Sequence, residues 1–158
     1  MPRTRSAAVV SCLAIAVAVL SGCSSTVAVQ AAPDAGDPRC AEVMVRLPEA
    51  FGDEQRRWTD AQSTAAWGDP TTVQFTCGVT PLGPTELACQ TVGGVDWVID
   101  ESRAPLYRLT TYGRIPAVEV VIDSEALSSS GPIDALSRLI APRFAQDRAC
   151  VAASEVTP

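Results

Sequence analysis

Four cysteines, Cys40, Cys77, Cys89 and Cys150, are spread across residues 38–150 of a 158-residue chain. Whether they are thiols or staples decides what the chain can fold into. A core this small stabilises its fold by only a few kcal/mol, and one covalent link contributes about 2–4 kcal/mol. The start of the chain bears on that question. Arg3 and Arg5 form a short basic region, and residues 7–20 are apolar and uncharged. That stretch is shorter than the about 20 residues a helix needs to cross a bilayer, and it matches the apolar core of an export signal. Leu20-Ser21-Gly22-Cys23 follows, an apolar residue and two small ones before a Cys. This pattern reads as a lipobox, in which the Cys thiolate takes a diacylglyceryl group.

Residues 1–22 are therefore expected to be a lipoprotein signal peptide, with Cys12 a small apolar filler inside it. Two acyl chains anchor stably where one does not. The expected location is the extracytoplasmic face of the cell membrane, with membrane lipid as a partner through the diacylglyceryl (palmitate-labelled) Cys23. Disulfides are permitted there. Four Cys allow three pairings. Cys77–Cys89 and Cys40–Cys150 are favoured, the first across an expected hairpin and the second between the domain ends. A zinc site is the rival reading, but the spacings of 37, 12 and 61 residues contain no C-x-x-C and the chain has no His. No metal and no cofactor are expected.

Composition narrows the chemistry. All twelve basic residues are Arg, and Lys, His and Asn are absent. A His base, a His metal ligand and a Schiff-base Lys are thereby excluded, and N-glycosylation has no acceptor. Eighteen acids give a net charge of -6. Without Arg3 and Arg5 the exported part is more acidic still, which argues against nucleic acid as a partner.

Residues 23–37 read as the lipidated Cys and a flexible tether, 38–150 as one folded domain, and 151–158 as a flexible tail. Asp37-Pro38 looks like a helix cap, with Cys40, Val43, Met44 and Leu47 on one apolar face. A second helix is expected over 53–66, with Trp58 inward. Strands are expected over 72–79, 87–92, 95–100, 106–112 and 117–122, and a last helix after Ser130 with Ile133, Leu136, Leu139 and Ile140 inward. The expected class is α+β: an antiparallel sheet of four to five strands with N- and C-terminal helices packed on one face, stapled by disulfides.

Several motifs occur together: Leu47-Pro48, Arg57, Ala66-Trp67-Gly68-Asp69-Pro70, Cys77-Gly78-Val79, Gly94-Val95-Asp96-Trp97, and residues 111–120 with Tyr112-Gly113-Arg114-Ile115-Pro116. The set resembles an actinobacterial lipoprotein family known as domain of unknown function 3515, over residues 40–150. The resemblance implies a small exported or membrane-tethered domain and carries no catalytic residues with it.

The leading expectation is a cell-envelope lipoprotein that binds rather than catalyses, with an envelope protein or cell-wall polymer as partner. Turn-rich segments present residues outward, so Trp67, Asp96, Trp97, Tyr112, Arg114 and Glu119 are the candidate binding surface. The alternative is a glycan-acting enzyme using Asp96 and Glu119, which requires the two carboxyls to lie about 5–10 Å apart in an open cleft.

Overall fold

The computed structural model describes residues 26–150. Among these residues two short helices, α1 (Pro38–Met44) and α2 (Ser130–Ile140), accompany eight strands: β1 (Ala50–Phe51), β2 (Glu54–Arg57), β3 (Thr64–Trp67), β4 (Val73–Val79), β5 (Ala88–Val92), β6 (Val95–Asp100), β7 (Leu106–Thr111) and β8 (Ala117–Asp123). The strands form one antiparallel sheet in the order β1-β2-β3-β4-β8-β7-β6-β5. This corrects the α+β expectation of four to five strands flanked by N- and C-terminal helices: the protein is mostly a single eight-stranded sheet. No helix among the described residues is long and apolar enough to cross a membrane.

The extra strands come largely from residues 50–67, where a helix was expected over 53–66. Glu54, Gln55, Arg56 and Arg57 are good helix formers in isolation. Here they pair with two neighbours at once, Phe51 opposite Glu54 and Arg57 opposite Ala66. Thr64, Ala65, Ala66 and Trp67 are all buried, so both faces of β3 are covered. A helix over this stretch could not bury four consecutive residues, and tertiary packing overrides propensity. The first helix is also shorter than expected. Asp37 caps it by accepting from the Arg39 amide at 2.8 Å, and Pro38 occupies its first turn.

Alternation along the strands builds the core. Val73, Phe75 and Cys77 lie opposite Ile122, Val120 and Val118, and Leu109 pairs with Val120. Cys40 and Val43 of α1, and Ile133, Leu136 and Ile140 of α2, join the same apolar cluster. The two buried indoles are satisfied within it: Trp67 Nε1 donates to the Pro48 carbonyl at 3.0 Å, and Trp97 Nε1 to Ser137 Oγ at 3.0 Å. Phe51 lies against Trp67 with ring centroids 4.7 Å apart.

All four domain cysteines are in disulfides, but the pairing differs from the expected one. The bonds are Cys40–Cys77 and Cys89–Cys150, with Cα separations of 5.7 and 6.0 Å. Cys77 and Cys89 do not sit on one hairpin, because β8, β7 and β6 lie between β4 and β5. Cys77 points into the core. Cys89 pairs with Val98 on the opposite face of the sheet.

Both ends of the domain are strapped to the sheet. Residues 26–37, read from composition as part of a tether, run along it: Val27 forms a parallel bridge with Thr59, and the Asp34 amide donates to the Gly78 carbonyl at 3.0 Å. Gly78 has a φ of +88°, and a Cβ there would lie 2.3 Å from the Asp34 backbone. Only glycine allows that approach. At the other end, a Cβ on Gly113 would lie 2.0 Å from the Arg148 carbonyl oxygen. The glycines of two motifs thus mark where the terminal segments cross.

Candidate functional site

The six residues expected to form a binding surface do not form one. Trp67, Asp96, Trp97 and Arg114 are buried, Tyr112 is half-buried, and Glu119 is partly exposed. The two tryptophans belong to the core. Their strands point them inward even though turns follow or precede them, which corrects the outward placement.

Asp96 and Arg114 instead build a buried polar network. Asp96 Oδ1 accepts from Thr91 Oγ1 at 2.6 Å. Its Oδ2 accepts from Gln146 Nε2 and from the Cys150 amide, both at 2.8 Å. Arg114 donates through Nη1 to the Phe144 carbonyl, and through Nη2 to the Gly94 carbonyl at 2.5 Å and to Gln146 Oε1 at 3.1 Å. The Gln146 amide therefore bridges the two charges. Burial lowers the Arg114 pKa from its ordinary value, and the charge of Asp96 opposes that shift. The network joins the Gly94-Val95-Asp96-Trp97 and Tyr112-Gly113-Arg114 motifs to the C-terminal segment. Both oxygens of the Asp96 carboxylate are occupied, Oδ2 in holding that segment down and Oδ1 by Thr91 of β5.

Glu119 lies elsewhere. Its Oε2 is 3.4 Å from Arg108 Nη1, and it lines a depression of about 270 Å³ with Gln74, Arg103 and Asp100. The carboxylate that shares its surroundings is Asp100, not Asp96. Hydrogen bonding to Ser102 holds Asp100 below the usual carboxylate range. A glycosidase acid needs the opposite shift. Nothing in this arrangement points to glycan chemistry.

An apolar space lies between the start of α2 and strands β5–β7. It is a cleft of about 400 Å³ whose walls include Val92, Trp97, Ile99, Leu109 and Ile133. Tyr107 and Gln90 border it, and the carboxylates of Glu101 and Asp134 stand at its rim. An apolar floor with a few convergent polar groups is the usual character of a ligand site. The pattern of β6 and β7 contained the floor residues, but nothing local indicated that α2 would leave a gap over them.

A second feature went unread in the sequence. Trp58, expected on the inner face of a helix, is 79% exposed at the end of β2. Met44, Arg56 and Trp58 line a groove of about 360 Å³, and Val45, next to Met44, is also exposed.

Fold and cleft together define a small, doubly disulfide-linked, single-sheet domain with an apolar ligand-sized cleft. The chain belongs to the family described as protein of unknown function DUF3515, whose pattern matches residues 5–149. No curated protein and no solved structure matches it.

Proposed function

We propose that this is a lipid-anchored binding domain on the extracytoplasmic face of the cell membrane. A diacylglyceryl group on Cys23 holds it there, and the cleft between α2 and β5–β7 takes an apolar group of an envelope partner. The observation that carries the binding reading is the cleft itself, with its apolar walls and acidic rim. The rim favours a partner that presents a basic residue beside its apolar one. Support for the anchor is the run from Arg3 to Cys23, which lies outside the described residues. Two disulfides fit an oxidising compartment.

Two measurements test this. Cells grown with a palmitate analogue should label the protein, and Cys23→Ala should abolish the label; an unlabelled wild type removes the anchor. N-phenylnaphthylamine, a neutral apolar fluorophore, should brighten on binding the cleft. Ile99→Trp, which fills the cleft from a partly exposed position, should weaken that binding about tenfold. Equal binding by both proteins would place the ligand elsewhere.

A further inference from the structure

We propose that the edge carrying Trp58 lies in the headgroup layer of the bilayer that the Cys23 lipid enters, so that the domain is held against the membrane in one orientation. The inference rests on the anchor reading and adds a docking surface to it.

The argument starts from where the chain leaves the domain. The Val27 amide donates to the Trp58 carbonyl at 2.8 Å, the Asp60 amide donates to the Val27 carbonyl at 3.3 Å, and the Val29 amide donates to Asp60 Oδ1 at 2.8 Å. The chain at Val27, four residues from Cys23, is therefore fixed beside Trp58 itself. Four peptide links separate Cys23 from Val27, a reach of about 14 Å at full extension. Any lipid on Cys23 must enter the bilayer within that distance of this edge.

The side chains there suit the place. Trp58 is 79% exposed and Val45 78%, the two most exposed large apolar residues described. An exposed indole costs free energy in water, while it is favoured at the membrane interface. Arg56 lies beside Trp58 in the groove, its Nη2 3.5 Å from the Met44 carbonyl, and its stem can cover apolar surface with its head among phosphates. Acids are close as well: Glu49 borders this groove, Asp53 and Glu54 border a second groove that Trp58 also lines, Asp60 is bonded to Val29 and Asp69 to Arg57. These acids outnumber the arginines, so the local charge does not favour anionic lipid and the contact depends on Trp58. A weak contact suffices, because so short a tether gives an effective concentration of about millimolar or more.

The test uses the full-length lipidated protein in vesicles of phosphatidylcholine and phosphatidylglycerol, with its acylation first established by intact mass. Trp67 and Trp97 are buried, so the difference between wild type and Trp58→Phe isolates Trp58. Lipid brominated near the headgroup end of its chains should quench that difference signal about twofold, and the vesicle-bound protein should show about a twofold lower response to aqueous acrylamide than the protein in detergent-free solution after enzymatic removal of the lipid. Acylated protein whose Trp58 emission ignores brominated lipid overturns the docking and leaves the anchor standing. Protein without acyl mass overturns the anchor, and the docking with it.

Discussion

Removing the Cys40–Cys77 bond by a double Ala substitution is expected to cost about 4 kcal/mol, and removing Cys89–Cys150 should cost a similar amount. The bonds close loops with sequence separations of 37 and 61. Loop entropy grows only as the logarithm of length, so the two costs differ by less than about 1 kcal/mol. For a domain whose whole stability is about 5–15 kcal/mol, loss of both bonds should leave it unfolded at 37 °C. The bonds should nevertheless behave differently towards reductant. Cys40 and Cys77 are fully buried, whereas Cys89 is exposed on the edge strand β5. A mild reductant should open Cys89–Cys150 first and release the C-terminal segment, while Cys40–Cys77 persists until the domain unfolds. Non-reducing peptide mapping and denaturant melts of each double variant measure both points. Peptides linked Cys40 to Cys150, or simultaneous reduction of both bonds, would contradict this architecture.

That pairing shows where reading the sequence stops. Strands β4 and β8 were legible because Val73, Phe75, Cys77, Val118, Val120 and Ile122 alternate with residues of the other face, and β5, β6 and β7 from short strand-forming runs bounded by turns. The end of α2 was legible from the spacing of Ile133, Leu136 and Ile140. Strand neighbours were not. The chain leaves β4, builds β5, β6 and β7, and only then returns with β8 to lie beside β4. Cys77 and Cys89 look adjacent in a linear hairpin and are four positions apart across the sheet. Residues 53–66 failed for a different reason: local preference and apolar spacing both favour a helix there, and only the burial of both faces of β3 decides otherwise. The site failed for a third. Turn motifs usually face water, but the Arg114 guanidinium turns inward to satisfy the Phe144 and Gly94 carbonyls. Those acceptors lie 30 and 20 residues away in the chain. No local pattern announces them.

Arg114→Met is the substitution that separates a structural network from a ligand-facing surface, and it should cost about 3 kcal/mol. The Met side chain fills similar space but donates no hydrogen bond. It leaves the Phe144 and Gly94 carbonyls and Gln146 Oε1 without their donor in a region where Arg114 is only 4% exposed. Asp96→Ala should be comparably severe, because Thr91, Gln146 and the Cys150 amide all donate to that carboxylate. Gln146 touches both groups, so the two losses should not add; a double-mutant cycle should give a coupling of at least about 0.5 kcal/mol. Arg138→Met, which removes an exposed ion pair with Asp134 one helical turn away, should cost under about 0.5 kcal/mol and serves as the control. Hydrogen exchange locates the effect. The Cys150 amide bonds Asp96, and the Asp147 amide bonds the Gly113 carbonyl at 2.8 Å. Both should lose protection in the Arg114 and Asp96 variants before the amides of β4 and β8 do, because the strap opens without the sheet. Variants as stable as wild type, with these two amides still protected, would mean that Asp96 and Arg114 are available to a ligand after all. The buried network would then be an incidental contact rather than the latch that closes the domain.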